Sequence, residues 1–446
     1  MTAEGPRDAL PRHGLAVVVE EWFQGQALAS VIQRVHWDRL DSRVELAVAA
    51  WLALLEQNQA KATFFVDAFV AVHHGDLLAR IASKGHEVRL DRVEDVLREL
   101  AAVRVVDGGE LRRDPDGARA LGALAEAHAP CAIVFRSWEL DPEQPRVTAG
   151  SKQDRSRHYD GLERVPALVQ KAIGLLAPID FATAFALPPC ATVAASAAPV
   201  AVHEPQAANA TLRVGVVVPM FDEEENVDYL LRSLDELRTR GADRYEFEFV
   251  LVDDRSRDAT YERLLRATAG RTDVKLVRHD VNRGVSRAIL TGIEASTCDI
   301  VASIDCDGSY DPLDLLAMLP MLDGADVVTA SPYHPRGHVR NVPAWRLLLS
   351  QTLSRIYRLV LRSDLHTFTS CCRVHRRERM VGMELSHEGF LGTAEMLVRV
   401  LRRGGVVREY PTTLSSRLLG FSKMKTLRTI RGHLRLLVAV VAGRVR

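Results

Sequence analysis

The chain has 446 residues, of which 47% are hydrophobic, and its 58 basic and 58 acidic side chains leave no formal net charge at pH 7. This length exceeds the ~100–200 residues of one usual domain, so we expect more than one domain. The balanced charge excludes a nucleic-acid partner held by bulk electrostatic attraction. The six cysteines show no Cys-x-x-Cys spacing, and residues 1–7 lack the apolar core of a signal peptide. Both features predict a reducing, cytoplasmic location.

Apolar stretches in the first half of the chain predict the strands of an α/β domain. Residues 15–19 are apolar and run into Glu20 and Glu21, and residues 61–66 form a second stretch of this kind. Residues 85–88 follow a helical pattern, and charged residues come after them. The first half therefore predicts strands that end in charged residues.

This half resembles the polysaccharide deacetylases, especially the branch found in exopolysaccharide loci. The similarity extends to residues 135–146 and 156–159. The resemblance implies a domain related to enzymes that hydrolyse N-acetyl groups with a metal ion held by one Asp and two His.

The chain departs from the deacetylase pattern at each metal-binding position. Residues 18–21 read Val-Val-Glu-Glu where the family has Asp-Val-Glu-Asp, and residues 89–94 contain no His where two metal ligands should follow. Arg136 replaces the His of a His-Pro-Trp-Glu motif, and a long part of the family's sequence has no counterpart. We therefore predict that residues 1–187 are a degenerate, truncated deacetylase-like domain, without deacetylase activity, metal site or closed barrel. His86 would be structural, and the domain would bind a partner or act as a scaffold.

Residues 188–211 are rich in alanine and proline and show no periodicity. Prolines favour a semi-extended chain, and they argue against a membrane-spanning helix. We predict an interdomain linker here.

The second half alternates apolar stretches with helical patterns. The predicted strands are residues 212–219, 247–252, 274–278 and 300–304. Strands that alternate with helices predict an α/β fold with a doubly wound, mostly parallel sheet and helices on both faces.

Polar residues follow these strands, and the pair Asp305 and Asp307 carries the most information. Ligands of open α/β sheets bind outside the carboxyl ends of the strands, and two carboxylates there can hold a divalent ion against a diphosphate. Such pairs also commonly cap a turn or a helix. Only the surrounding sequence favours the functional interpretation.

The order of motifs resembles the family 2 glycosyltransferases, and within them the dolichyl- or polyprenyl-phosphate mannose synthases. The opening Pro-x-Tyr-Asn-Glu, the Val-Asp-Asp, the Asp-x-Asp, the Thr-Ser-Gly-Phe, the Gly-Phe-x-x-x-x-Glu and the Arg-x-x-Gly-x-Ser-Lys motifs have counterparts in the same order. They are residues 219–223, 252–254, 305–307, 367–373, 389–395 and 417–423. The resemblance implies a GT-A (Rossmann-like) fold and inversion at the transferred sugar.

The resemblance also implies the roles of the donor-side residues. Asp305 and Asp307 would hold Mg²⁺ or Mn²⁺ and act as catalytic residues, because negative charge accumulates on the leaving diphosphate of a UDP- or GDP-sugar. Asp253 would contact the nucleoside. The whole predicted donor-binding set is Pro219, Asp222, Glu223, Asp253, Asp254 and Arg283.

Whether the acceptor is a phosphate or a hydroxyl decides which further side chains the site needs. A polyprenyl phosphate is already ionised and needs cations instead of a general base. Arg417, Ser422 and Lys423 are the first candidates to bind such a phosphate, and Arg346 is a weaker one. A glycan hydroxyl would need a base, for which we consider Glu395.

Two positions depart from the mannose synthases. Pro332 stands where the family often has Arg, and Ser309 stands where a Gln usually follows the Asp-x-Asp motif. These changes leave the donor sugar and the acceptor open.

The C-terminal residues are strongly basic. No Asp or Glu follows Glu409, and we predict residues 431–446 to be a basic amphipathic tail after a glycosyltransferase domain at 212–430. The apolar part, residues 434–442, is shorter than the ~20 residues of a spanning helix. Peripheral contact with an anionic membrane and a docked core helix both remain open.

Together these features predict an inverting, metal-dependent glycosyltransferase of cell-envelope or exopolysaccharide synthesis, with a polyprenyl phosphate or a glycan as acceptor. Two alternatives remain. One is a bifunctional deacetylase and glycosyltransferase, and the other is a non-catalytic nucleotide-sugar-binding scaffold.

Overall fold

The computed structural model describes residues 13–100, 103–127, 129–188, 211–387, 389–420 and 426–442. Two compact units are present. One contains Met1–Trp37, Asp41–Pro145 and Gly150–Val202, and the other contains Asp38–Leu40, Arg146–Ala149 and His203–Arg446. The predicted linker at 188–211 lies outside the described residues except at its two ends. The domain boundaries from the sequence therefore stay predictions.

The first unit is built on a five-stranded open sheet in the order β3-β2-β1-β5-β4, and all described pairs are parallel. Its strands are β1 (Gly14–Val19), β2 (Thr63–Val66), β3 (Glu87–Arg89), β4 (Arg104–Asp107) and β5 (Cys131–Arg136). Its helices are α1 (Val44–Gln57), α2 (Ala68–His73), α3 (Gly75–Ser83), α4 (Val93–Glu99), α5 (Gly108–Arg113), α6 (Gly117–Glu126), α7 (Lys152–Tyr159), α8 (Val165–Leu176) and α9 (Phe181–Phe185).

The central strand β1 is apolar throughout because both of its faces are covered. Leu15 and Val17 belong to a core with α1 and α8, whereas Ala16 packs in a second core with Phe181. A strand buried on both faces reads as a continuous apolar run, as the sequence predicted. Its polar successors, Glu20 and Glu21, lie beyond the end of the strand.

The second unit is built on a seven-stranded sheet in the order β13-β10-β12-β9-β6-β7-β8, in which β12 is antiparallel to both neighbours. Its strands are β6 (Leu212–Met220), β7 (Tyr245–Asp253), β8 (Val274–Arg278), β9 (Ile300–Ser303), β10 (Val327–Ser331), β12 (Arg373–Arg376) and β13 (Val407–Pro411). A separate parallel pair joins β11 (His338–Arg340) to β14 (Thr413–Ser415). Its helices are α10 (Val227–Gly241), α11 (Thr260–Ala267), α12 (Val285–Ala295), α13 (Asp314–Met318), α14 (Ala344–Leu361), α15 (Phe390–Arg402) and α16 (Thr426–Val441).

Helices cover both faces of this sheet. Leu234 of α10 packs in one core with Val216, whereas Ile293 of α12 packs in the other core with Val217. Close packing explains Gly292, because a Cβ atom there would lie 2.2 Å from Val217 Cγ1. The prediction of a doubly wound, mostly parallel α/β sheet is confirmed.

Helix α16 crosses the predicted boundary between residues 430 and 431. Leu436, Leu437 and Val440 are buried in the core that also contains α12 and α15, whereas Val438 and Val441 are exposed. The described part of this segment is therefore a docked helix with one apolar edge left outside. Within the described residues, no helix is long and apolar enough to span a membrane.

Candidate active site

The carboxyl ends of β6, β7 and β9 bring the predicted donor-side acids to one edge of the sheet. These three parallel strands are neighbours, and Glu223, Asp254 and Asp305 follow them. A cavity of about 1430 Å³ opens here, and its lining includes these three acids together with Asp307. The topology thus produces the carboxylate cluster that the sequence predicted.

Asp305 and Asp307 differ in how their charge is balanced. Arg417 Nη2 donates to Asp307 Oδ2 at 2.8 Å, and the backbone N–H of Ser309 donates to Asp307 Oδ1 at 3.0 Å. Burial and the neighbouring Asp307 raise the pKa of Asp305 to about 7, although a hydrogen bond from the Cys371 thiol and the charge of Arg417 act against this rise. Of the pair, Asp305 is therefore the carboxylate whose charged form is disfavoured.

Arg417 connects the two carboxylate groups of the site. Besides Asp307, its guanidinium nitrogens lie 3.4 Å from Glu223 Oε1. Glu223 is itself held, since Asn226 Nδ2 donates to its other carboxylate oxygen at 2.7 Å. A cation is thus fixed beside the Asp-x-Asp pair, and the role of Arg417 in binding an acceptor phosphate stays a prediction. Ser422 and Lys423, the other predicted residues of that motif, lie outside the described residues.

Arg346 lies in the first turn of α14 and lines the same cavity. Its guanidinium carbon lies 5.3 Å from the ring centroid of Trp345, and its buried Nε atom has no hydrogen-bond partner among the described residues. A buried donor without a partner calls for an explanation, and a bound anion would supply one.

The donor-binding prediction separates into residues that line the cavity and residues that support it. Pro219, Glu223 and Asp254 line the cavity. Asp253 does not, because its buried carboxylate pairs with Arg278 Nε at 3.0 Å. Arg283 is exposed and contributes its backbone N–H to Asp254.

Asp254 organises the loop before α12. Its carboxylate accepts hydrogen bonds at 2.7 Å from the backbone N–H groups of Arg283 and Gly284, and His279 Nδ1 lies 2.7 Å from Oδ1. Asp222 has a positive φ of 53° and pairs with Arg257. It lines a second, smaller cavity of about 370 Å³, which shares Glu223 with the large one.

The environment of Glu395 differs from that of a carboxylate that is available to act as a general base. Its carboxylate accepts hydrogen bonds from the backbone N–H of Ser386 at 2.9 Å, from His387 Nδ1 at 2.8 Å and from Arg399 Nη2 at 2.7 Å. These bonds outweigh burial and lower its pKa. Its side chain is fully buried, and it is absent from the cavity lining. The arrangement counts against the predicted role of Glu395 as a base and favours a positioning role.

The cavity lining also contains Cys371, His387 and His433, which sequence reasoning did not assign to the site. Cys371 occupies the Gly position of the Thr-Ser-Gly-Phe motif, and its thiol is hydrogen bonded to Asp305. That departure was the available signal for the cysteine. No motif marked the histidines. Pro332 and Ser309, the two noted departures, also line the cavity.

The first unit has its own charged cluster at the carboxyl ends of its strands. Arg136 lies with Nε 3.4 Å from Glu20 Oε1 and with Nη1 3.1 Å from Asp107 Oδ2. Arg89 and Asp91 form an ion pair at 2.7 Å. His86 is buried, its ring lies 5.3 Å from that of Phe64, and burial lowers its pKa to about 4. Guanidinium groups thus balance carboxylates here.

Glu20 should make the stability of the protein depend on pH. Burial raises its pKa from 4.5 to about 7, although Arg136 and Trp138 oppose the rise. When folding raises the pKa of a carboxyl group, the contribution of that group to stability is fully present below its unfolded-state pKa. This contribution is lost as the pH rises through the folded-state pKa. We expect Glu20→Gln to unfold at a higher temperature than the native chain at about pH 8, with the difference shrinking toward about pH 5. Glu99→Gln, at an exposed position, is the control. A difference in unfolding temperature between Glu20→Gln and the native chain that does not vary with pH would contradict the raised pKa of Glu20.

Comparisons with known proteins agree with the site. Residues 215–380 match the model of glycosyl transferase family 2. The chain is 30% identical over 230 residues to polyprenol monophosphomannose synthase of Mycolicibacterium smegmatis, covering 50% of this chain and 84% of that protein. It is 29% identical over 229 residues to dolichol-phosphate mannosyltransferase of Pyrococcus furiosus, covering 50% of this chain and 62% of that protein.

A solved structure of glucosyl-3-phosphoglycerate synthase from Mycobacterium tuberculosis, in complex with Mn²⁺, UDP and glucosyl-3-phosphoglycerate, is 19% identical to this chain. The match covers 52% of this chain and 80% of that one, with a TM-score of 0.40, a level of likeness that supports no conclusion. The family match and the first relative agree with the predicted GT-A type of sheet, and the deacetylase resemblance of the first half stays a prediction. Through its second half, the chain belongs to glycosyl transferase family 2.

Proposed function

We propose that this protein is an inverting glycosyltransferase that moves a sugar from a nucleoside-diphosphate sugar to a polyprenyl phosphate. The supporting observation is the composition of one cavity. Its lining joins the carboxylates Asp305 and Asp307 to the cations Arg346 and Arg417, and it continues over apolar side chains. The cavity therefore contains groups that are complementary to a metal-bound diphosphate, to a phosphate and to a lipid chain.

The donor side needs positive charge where the diphosphate leaves. Asp305 and Asp307 supply the oxygen ligands that Mg²⁺ and Mn²⁺ prefer, and burial together with the charge of Asp307 raises the pKa of Asp305. Within the described residues no group of three or more His, Cys, Asp or Glu side chains could hold a metal ion. A bound ion would stabilise the negative charge of the leaving diphosphate. Glu223 and Asp254 would face the rest of the donor.

The acceptor side favours a lipid phosphate over a glycan. A phosphate nucleophile is already ionised, and the proposed base for a hydroxyl acceptor, Glu395, is engaged in hydrogen bonds. Trp345, Leu348 and Phe390 line the cavity and are 51%, 63% and 41% exposed. Exposed apolar groups beside cations suit a phosphate that carries a prenyl chain. The mannosyltransferase relatives named above support the same acceptor class.

The test is nucleoside diphosphate release from a panel of UDP- and GDP-sugars, with Mn²⁺ or Mg²⁺, in the presence and absence of a short polyprenyl phosphate. We expect release to require the lipid phosphate and one donor of the panel. Tight donor binding without release for any acceptor would instead support the non-catalytic scaffold.

For the first half, we propose a deacetylase-like remnant without deacetylase activity that serves as a scaffold or binds a partner. Two ion pairs support this proposal: that of Arg89, in the segment where the metal histidines of the deacetylases would stand, and that of Arg136, which replaces the His of their His-Pro-Trp-Glu motif. The full chain should release no acetate from N-acetylated glycan oligomers with Zn²⁺, Mn²⁺ or Co²⁺. Metal-dependent acetate release would restore the bifunctional alternative.

We further propose peripheral binding at the cytoplasmic face of a membrane. Exposed Leu348, Leu359 and Val441 on α14 and α16 support it. Flotation with vesicles that contain anionic lipid should carry the protein upward at low salt, whereas neutral vesicles should carry less. Failure of both kinds of vesicle to carry the protein upward would count against membrane contact.

A further inference from the structure

Two histidines line the cavity, and in each ring the same nitrogen is occupied. His387 Nδ1 lies 2.8 Å from Glu395 Oε2, and His433 Nδ1 lies 3.0 Å from the Tyr357 hydroxyl. Both rings line the cavity, and His387 is near enough to His433 to lower its pKa. Each ring therefore has Nε2 left for a ligand.

The proton on His387 is positioned by Glu395. Hydrogen bonds from Ser386 and Arg399 help to lower the pKa of Glu395, so the carboxylate is ionised and accepts only. His387 must then donate its Nδ1–H to this carboxylate. Nε2, on the other side of the ring, is then the nitrogen that can meet a ligand.

His433 pairs with a phenol instead of a carboxylate. Burial and the nearby His387 lower its pKa to about 4, so the ring is neutral. Burial and the charge of Glu395 raise the pKa of Tyr357, so the phenol keeps its proton. The phenol and Nδ1 of His433 thus share one hydrogen bond, and Nε2 is the ring nitrogen that can meet a ligand.

We propose that His387 and His433 together bind the phosphate group of the lipid acceptor. This inference rests on the proposed function. A phosphate monoester has a second pKa of about 6, so near neutral pH it offers acceptor oxygens and, in part of its population, a P–O–H donor. Nε2 of each ring hydrogen bonds this phosphate.

The surrounding groups fit the same ligand. Arg346, with its unpartnered Nε, and Arg435 line the cavity with the two rings, as does Phe390 at the start of α15. The phosphate therefore meets both hydrogen-bonding and cationic groups next to apolar surface. Glu395 and Tyr357 act as positioning residues for the two rings.

The test compares steady-state kinetics of His387→Ala, His433→Ala and His433→Gln with those of the native protein. The Gln amide nitrogen can stand near imidazole Nε2 and hydrogen bond the phosphate in its place. We expect both Ala variants to raise the KM for a short polyprenyl phosphate by about 10-fold or more, in line with the loss of a hydrogen bond to a charged group. The Gln variant should stay within about 3-fold of native, and the KM for the donor should not change.

His366→Gln is the matched control, because His366 Nδ1 also lies 2.8 Å from a carboxylate oxygen, that of Glu409, yet His366 does not line the cavity. It should have native kinetics. Nucleotide affinity checks the fold of every variant, and if His433→Ala does not fold, His387→Ala and His433→Gln decide. A native acceptor KM in the Ala variants, or an equal rise of donor and acceptor KM, would overturn the inference while the proposed function stands. A native protein that transfers no sugar to the lipid phosphate would refute both.

Discussion

Replacing Asp307 by Asn should lower the rate of sugar transfer by about 10²–10³-fold, the loss expected when one fixed electrostatic group is removed from a transition-state site. Asp307 is the nine-tenths-buried carboxylate that faces Arg417 in the cavity, and it is half of the pair proposed to hold the divalent ion. The Asn side chain keeps the shape but removes the charge. Initial rates at saturating donor and lipid phosphate, with Mn²⁺ varied, would measure the effect.

Asp323→Asn is the control, because Asp323 is exposed and does not line the cavity. Its rate should equal that of the native protein. A fall of less than about threefold for Asp307→Asn, with unchanged dependence on Mn²⁺, would remove Asp307 from the proposed metal site.

Replacing Glu395 by Ala should lower the free energy of unfolding by about 3–5 kcal/mol, the usual result of removing one partner from a buried ion pair. The Glu395 side chain is fully buried and lies 2.7 Å from Arg399, whose side chain is only 13% exposed. The variant would remove the carboxylate that accepts from Arg399 and from the backbone N–H of Ser386. Urea denaturation followed by circular dichroism would measure the change.

Glu294→Ala, at an exposed position on α12, should change stability by no more than about 0.5 kcal/mol. A loss in Glu395→Ala as small as in this control would contradict the structural role. The sign of the pH effect gives a second check. The lowered pKa of Glu395 means that its contribution is present above the unfolded-state pKa and disappears as pH falls through the folded value. The native chain and the variant should therefore become more alike in acid.

The sequence was sufficient to predict the sheet and its acidic edge. Apolar stretches at 212–219 and 300–304 became β6 and β9, which pair in parallel, so the residues after them had to meet at one edge. Asp305 and Asp307 could be predicted to lie there because parallel strands end on the same side of a sheet. In the first unit the same reasoning correctly predicted the strand that precedes Glu20.

Side-chain pairing could not be predicted in the same way. Glu395 and its backbone donor Ser386 are close in sequence, but only the structure shows that the loop containing Ser386 closes over the carboxylate. Asp253 and Arg278 meet across the ladder of β7 and β8, where register decides the contact. The partner of His433, Tyr357, is on a different helix. Such contacts depend on packing between elements, which no local pattern encodes.

The most direct measurement is the structure of the lipid-linked product made by the full-length protein from an α-linked nucleotide sugar and a short polyprenyl phosphate. The anomeric configuration and the linkage to phosphorus can be read from proton and phosphorus NMR couplings. We predict a β-linked glycosyl phosphate of the prenol, formed by a single displacement that inverts the anomeric centre. A product with retained configuration, or a sugar attached to a hydroxyl with the lipid phosphate unmodified, would contradict the proposed function.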